Sequence, residues 1–179
     1  MRTRFFLASI AALFLTFSAT SGESRPRPKR NTKKFEANKL FGLGLMIGVP
    51  SGLSGKYYLS SDTALDFGIA THQHGRNRYG DAWDIHMDFL WHPVVLASPD
   101  AFWLPLYVGV GARVLDHRYD GFGNDLHVGV RAPVGLLIDF NNIPLDIFME
   151  FAFIFDILRD HDHRYTDGEF FLGIRYYFE

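Results

Sequence analysis

The sequence has no cysteine in its 179 residues. This absence excludes disulfide bonds, a cysteine-based zinc site and a thiol nucleophile. It also excludes the acylated cysteine that anchors a bacterial lipoprotein. Long apolar runs are scarce as well, because the apolar stretch at residues 5–17 is about 13 residues long and a membrane-spanning helix needs about 20.

The amino-terminal part divides into two segments. Residues 1–21 have the pattern of a secretory signal peptide, with Arg2 and Arg4 first, then the apolar stretch, then small residues before a cleavage site near Ser21. Residues 22–39 contain seven Lys or Arg and two Pro but little to bury, which predicts a disordered basic leader. Such a leader is either a solvated spacer or a tether to anionic lipid.

Positive charge is scarce in the remainder of the chain. Residues 40–179 contain nine Lys or Arg against eighteen Asp or Glu, a net charge of −9. An acidic domain repels the phosphate backbone, so we predict no nucleic-acid partner.

Strict alternation of apolar residues begins at residue 40. In 83–91, for example, Trp, Ile, Met, Phe and Trp occupy every second position, and the positions between them are Asp, His, Asp and Leu. Alternation with a period of two predicts β-strands. Eight segments follow this pattern: 41–49, 54–60, 65–71, 83–91, 102–114, 126–138, 145–155 and 170–178.

The two faces of these strands differ in a way that a soluble barrel does not explain. In a soluble barrel the bulky apolar residues point inward, whereas here the apolar face is continuous and nearly free of charge, as lipid contact requires. Residues 40–179 are therefore predicted to form an all-β, eight-stranded antiparallel transmembrane β-barrel in an outer membrane. The other face, with Gly and Ala, would carry an inward charge cluster of Lys56, Asp66, Asp84, Asp88, Arg113, Arg131, Glu150 and Arg175.

Eight strands enclose an interior just wide enough to fill with side chains, so these inward charges are predicted to neutralise one another and plug the lumen. Position relative to the turns predicts that Lys56 lies near Asp66 on the neighbouring strand. It also places Glu150 between Arg131 and Arg175. A cation path through the lumen is the alternative interpretation.

The connections and the strand ends fit the same architecture. Tight turns are predicted at 60–63 and 141–144, and long polar loops at 73–81, 117–125 and 159–168, all three on the outer side. The segments 92–101 and 50–53 depart from this rule in length. Outward aromatic residues near strand ends suit the membrane interfaces: Trp83, Trp91, Phe102 and Phe170.

The carboxyl-terminal sequence FFLGIRYYFE resembles the assembly signal of outer-membrane barrels, an alternating strand that closes on an aromatic residue. Glu179 departs from that signal, because the aromatic residue usually comes last. The resemblance implies recognition by the barrel assembly machinery, with outer-membrane lipid as the other partner. The matching residues are Phe170, Leu172, Ile174, Tyr176 and Phe178.

The stretch FGLGLMIGVPSGLSGKYYLSSDTALDFGIA at 41–70 resembles the opening hairpins of small barrels related to the membrane domain of OmpA. This family occurs in spirochaetes and in other bacteria with two membranes, and its function is not established. Its most specific match is GLSGKY at 52–57. The resemblance implies an eight-stranded barrel and no established catalytic residues.

Three functions remain open at this stage. A non-enzymatic structural or surface barrel without cofactor is the leading prediction. An adhesin or ligand binder that acts through its outer loops is the alternative, since those loops carry Tyr and Phe among charges. A lipid-modifying enzyme comes third, because no Ser-His-acid spacing stands out. The outer-loop histidines, at 72, 74, 161 and 163, are weak metal candidates, and no metal site is predicted.

Overall fold

The computed structural model describes residues 34–72, 82–119, 123–158 and 166–178. Each strand pairs antiparallel with its neighbours in the chain, and β1 pairs with β8 to close the barrel. The predicted eight-stranded antiparallel barrel is confirmed. The strands are β1 Phe41–Val49, β2 Ser51–Tyr58, β3 Thr63–His72, β4 Ala82–Ala97, β5 Phe102–Tyr119, β6 Gly123–Phe140, β7 Leu145–Leu158 and β8 Thr166–Phe178.

No helix in the described ranges is long and apolar enough to cross a membrane.

The register of the strand pairs sets the diameter of the barrel. One circuit perpendicular to the strands starts at Val49 and returns to β1 at the level of Lys39, a stagger of about ten residues. For eight strands this stagger corresponds to a tilt of about 40° and a backbone radius of about 8 Å. Such a barrel holds side chains in its interior rather than an open channel. The circuit passes through the paired residues Phe170, Phe151, Val134, Val108, Trp91 and Thr63.

Side chains alternate between the two faces of the wall, as strand geometry requires. In β4 the outward residues Ile85 and Met87 are each more than half exposed, while Asp84 before them and Asp88 after them are buried. The buried core of the molecule therefore lies inside the barrel, and the large apolar side chains cover its outer surface.

Several strands are longer than the sequence predicts. β5 and β6 pair through 117–119 and 123–125, although these residues were predicted as loop. The backbone ladder between the two strands continues past their predicted ends. β4 continues to Ala97 with two register irregularities after Trp91, so the segment 92–97 is strand and not turn. The tight turn predicted at 141–144 lies between strands, as expected, and the one predicted at 60–63 is observed at 59–62, because β3 begins at Thr63. The turns at 59–62, 98–101 and 141–144 define the turn end of the barrel, and the opposite end is its loop end.

The carboxyl-terminal part of the predicted leader packs into the turn end. Phe35 is 1% exposed and belongs to the interior core, and Lys39 is also buried. The prediction of a disordered leader is therefore wrong for residues 35–39, because an aromatic ring and a lysine find buried partners there. Residues 22–33, together with the predicted signal peptide, lie outside the described residues.

Candidate functional site

The candidate site is the interior of the barrel. All eight residues of the predicted charge cluster have side chains inside the wall, and each residue is at most 4% exposed. Buried ions are costly unless they are paired and hydrogen-bonded, so their partners determine whether this interior is stable.

Arg131, on β6, joins three other strands across the interior. Its guanidinium donates to Glu150 Oε1 of β7 at 2.7 Å, to Glu169 Oε2 of β8 at 3.0 Å and to Asp88 of β4. The second oxygen of Glu150 accepts from the Tyr107 hydroxyl at 2.9 Å. A planar guanidinium has five donors in a fixed fork, so it can serve three carboxylates at once. We call Arg131, Asp88, Glu150 and Glu169 the Arg131 cluster.

Arg113, on β5, extends this network toward the loop end. It donates to Glu169 Oε1 at 2.8 Å and to Asp156 Oδ1 at 3.1 Å. A third contact, 3.1 Å long, reaches Asp167, whose side chain is half exposed. Because Glu169 binds Arg113 with one oxygen and Arg131 with the other, the two arginines form one continuous network.

Two histidines line the same half of the barrel. His86 Nδ1 lies 2.9 Å from Asp84 Oδ1, and His127 Nδ1 lies 3.9 Å from Asp156 Oδ2. Both histidines are buried beside these carboxylates.

Arg175, on β8, forms a second ion cluster nearer the turn end. Its Nη2 lies 2.7 Å from Asp66 Oδ2, and its Nε donates to Ser54 Oγ at 2.9 Å. Asp146 lies 3.9 Å from Nη1. The guanidinium carbon lies 3.7 Å from the Phe148 ring centroid, the geometry of a cation–π contact.

Of the three predicted neighbours, Lys56 with Asp66 and Arg131 with Glu150 are confirmed, and Arg175 with Glu150 is wrong. Lys56 and Asp66 do face each other in the β2–β3 register, but Arg175 holds the Asp66 carboxylate. Arg175 does not reach Glu150, whose cationic partner is Arg131 alone among the described residues. Neighbouring positions on paired strands allow contact, but the longer reach of arginine across a narrow barrel decides the partner.

Lys56 instead contacts a histidine and two aromatic rings. Its Nζ lies 3.1 Å from His92 Nε2 and about 5 Å from the Tyr58 and Tyr107 ring centroids. His92 Nδ1 lies 2.9 Å from the Asp62 carbonyl oxygen, which only accepts hydrogen bonds. Nδ1 is therefore the protonated nitrogen, and Nε2 accepts from the Lys56 ammonium.

Several interior polar residues lie outside the predicted charge cluster although their positions follow the alternation. Asp146 and Asp156 share the face of Glu150 along β7, and Glu169 shares the face of Arg175 along β8. Glu169 was missed because the last strand was predicted to begin at Phe170, the residue that follows it. The remaining additions are Lys39, His92, Tyr107, Asp139 and Tyr177.

Glycines in the wall make room for the largest interior side chains. A Cβ on Gly135 would lie 2.3 Å from the Tyr107 ring, and one on Gly173 would lie 2.2 Å from the Phe148 ring. Both distances are far below van der Waals contact. The glycines on the inward face therefore have a steric cause, because aromatic rings lie across positions that carry no side chain.

The predictions on metal binding and on the outer loops concern residues both inside and outside the described ranges. In the four described ranges, no group of three or more His, Asp or Glu is arranged to hold a metal ion. The side chains of the histidines at 72, 74, 161 and 163 lie outside the described residues, as do the loops 73–81, 120–122 and 159–165.

The residues of the predicted assembly signal lie along β8, and β8 pairs with β1 at the closure of the barrel. Phe170, Leu172 and Ile174 point outward and are each about half exposed. Their role in assembly stays a prediction.

Comparison with known proteins gives matches at the level of the fold. No protein-family model matches the chain, and no curated protein matches it. The amino-terminal β-barrel domain of Pseudomonas aeruginosa OprF is similar over 77% of this chain and 95% of that chain, with 13% identity and a TM-score of 0.49. Ail, the attachment invasion locus protein of Yersinia pestis, is similar over 77% of this chain and 93% of that chain, with 14% identity and a TM-score of 0.39. Neither is a spirochaete protein, so the resemblance to the spirochaete-type family stays a prediction.

Proposed function

We propose that the chain is a non-enzymatic outer-membrane β-barrel with a largely plugged lumen and a structural or surface role. The observation that carries this proposal is the inverted distribution of side chains. Large apolar residues are exposed on the outside of all eight strands, while the charged residues of the described strands are concentrated inside.

The outer surface supports contact with lipid. Ile47, Ile85 and Phe153 are each more than half exposed, and a soluble monomer rarely exposes a contiguous apolar surface of this extent. Trp83, Trp91 and Phe170 are also about half exposed, in keeping with aromatic girdles at the two interfaces. Trp83 lies at the loop end of β4, Phe170 pairs with the last residue of β1, and Trp91 pairs with the first residue of β3. Barrel closure satisfies the backbone groups that lipid cannot.

The interior supports a plug. The Arg131 cluster connects β4, β6, β7 and β8, so it crosses the lumen instead of lining it. A backbone radius of about 8 Å leaves little space once arginine and aromatic side chains occupy the axis. In the second ion cluster, Ser54 Oγ is bonded to Arg175 and not to a histidine, so this serine has no base beside it to activate it as a nucleophile.

The plug is tested by ion conductance. The purified barrel in a planar lipid bilayer should show no large, steady conductance, because the Arg131 cluster leaves no continuous file of water. Any leak that appears in an Arg131→Met barrel should prefer cations, since eight buried carboxylates of the described interior would then face only the four buried cations Lys39, Lys56, Arg113 and Arg175. A steady conductance from the wild-type barrel would contradict the plug and favour a pore.

The role of β8 in assembly gives a second test. Phe178→Ser should lower the yield of membrane-inserted protein several-fold, because Phe178 closes the alternating face that resembles the assembly signal. Phe153→Ser is the matched control, since Phe153 also faces outward, is 63% exposed and lies on β7. Heat-modifiable migration on a detergent gel measures the inserted fraction. Equal losses in the two variants would show that only lipid contact, and not recognition of β8, had changed.

A further inference from the structure

The turn end of the barrel contains an aromatic chamber that is filled by a residue from outside the wall. The Phe35 ring stacks on His92 with ring centroids 4.8 Å apart. The ring centroids of Tyr58 and Trp103 lie 5.9 and 6.3 Å from the Phe35 ring centroid. Phe35 is thus enclosed by rings from β2, β4 and β5, although it precedes the first strand by six positions.

A second anchor lies four residues later. The Lys39 ammonium donates to the Asp139 carboxylate, to the Phe140 carbonyl at 2.8 Å and to the Leu145 carbonyl at 2.9 Å. The Tyr177 ring centroid lies 5.3 Å from Nζ. All three donors of this ammonium therefore have acceptors beside the β6–β7 turn. This turn lies across the turn end of the barrel from Ser61.

The chain between the anchors is extended across the opening. Ala37 N donates to the Ser61 carbonyl at 2.8 Å. This contact belongs to no strand ladder, whereas the wall strands pair along their length. Segments held by side-chain anchors and isolated backbone bonds open locally at lower free energy than a ladder does.

We propose that the turn end is a binding site for an extended peptide with an aromatic side chain and a lysine four residues apart, which residues 35–39 of this chain occupy as a displaceable stopper. The chamber supplies rings for the aromatic side chain. The β6–β7 turn supplies a carboxylate and two carbonyls for the lysine. This site lies apart from the Arg131 cluster, so it is a second barrier, and it goes beyond the proposed function.

Thiol labelling tests the stopper, because the chain has no native cysteine. Ala64 is fully buried, points inward at the start of β3 and belongs to the same core as Phe35, so Ala64→Cys places a single thiol in the chamber. In the otherwise unchanged barrel, a water-soluble maleimide should react slowly with this thiol. Adding Phe35→Ala should accelerate labelling by at least about tenfold, because the aromatic anchor is lost.

A peptide supplied in trans tests the site itself. A synthetic peptide with the sequence of residues 34–39 should restore protection of the Ala64→Cys thiol in the Phe35→Ala barrel, with saturable dependence on its concentration. The same peptide with Ala in place of Phe35 should not. Labelling that is unchanged by Phe35→Ala would show that the segment seals nothing, and labelling that the peptide cannot suppress would show that the mouth is no peptide site.

Two controls keep these results interpretable. Ala152→Cys, fully buried on β7 and outside the chamber, should stay protected when Phe35 is replaced. If Phe35→Ala prevents folding, hydrogen exchange of the unsubstituted barrel decides instead: the Ala37 amide should exchange faster than the amides of the β2–β3 ladder. Exchange of Ala37 only together with that ladder would overturn a displaceable stopper. Thiol labelling measures access to the turn end, whereas conductance measures ion flow through the whole lumen. A failed stopper and a failed plug therefore give different results.

Discussion

Replacing Arg131 with Met should lower the free energy of unfolding by about 3–5 kcal/mol, the usual cost of removing one partner from a buried ion set. Arg131 is fully buried and holds Asp88, Glu150 and Glu169 together. Its loss leaves these carboxylates close to one another without their shared cation. Urea titration of the barrel in detergent micelles, followed by tryptophan fluorescence, measures the shift in the unfolding midpoint.

Two further variants separate charge from packing in this experiment. Combining Arg131→Met with Glu150→Gln should recover part of the loss, because one of the uncompensated carboxylates becomes neutral. Asp100→Asn, at an exposed turn position, should change the free energy of unfolding by less than about 0.5 kcal/mol. A midpoint for Arg131→Met equal to that of the wild type would show that the cluster contributes nothing to stability.

Alternation was sufficient to predict the fold because a strand has a side-chain period of two. Trp83, Ile85 and Met87 share one face, and that face is outward in the structure. The chemistry of each face then indicated its surroundings, since a bulky apolar face without charge suits lipid and a face of glycine and charge suits a narrow interior. No long-range information was needed for either step.

Ion partners could not be predicted in the same way. Register places Lys56 opposite Asp66, but Arg131 on β6 reaches Asp88 on β4 and Glu169 on β8, neither of which is an adjacent strand. These contacts cross the lumen, and their geometry depends on the tilt and stagger of the closed barrel. The residue pattern of a single strand does not specify the distance across the lumen between side chains on non-adjacent strands.

Composition misled the interpretation of the leader. Low hydrophobicity and high charge, averaged over residues 22–39, predict a disordered segment. Phe35 and Lys39 anchor the end of the segment because the turn end of the barrel presents matching rings and acceptors. That complementarity exists only in the folded barrel.

Replacing Gly44 with Ala should prevent most of the chain from closing into a barrel. Gly44 lies on β1, opposite Arg175 of β8, at the pair of strands that closes the structure. A Cβ there would lie 1.8 Å from the Ile174 carbonyl oxygen and 2.7 Å from the Arg175 Cα. Both are backbone atoms, so no side-chain rotation relieves the overlap. The cost should reach or exceed the upper end of the range of about 1–3 kcal/mol that overpacking usually carries.

Gly168→Ala, on β8, is the matched control for this closure experiment. A Cβ at Gly168 would meet only the Phe151 ring, at 3.5 Å, which is ordinary van der Waals contact. After refolding into detergent micelles, Gly168→Ala should give the same heat-modifiable band as the wild type, while Gly44→Ala should run mainly as unfolded chain. Because the two variants add the same methyl group to the two strands of one seam, a difference between them reports the close approach of the backbones. Normal folding of Gly44→Ala would mean that β1 and β8 do not approach each other as closely as the register requires.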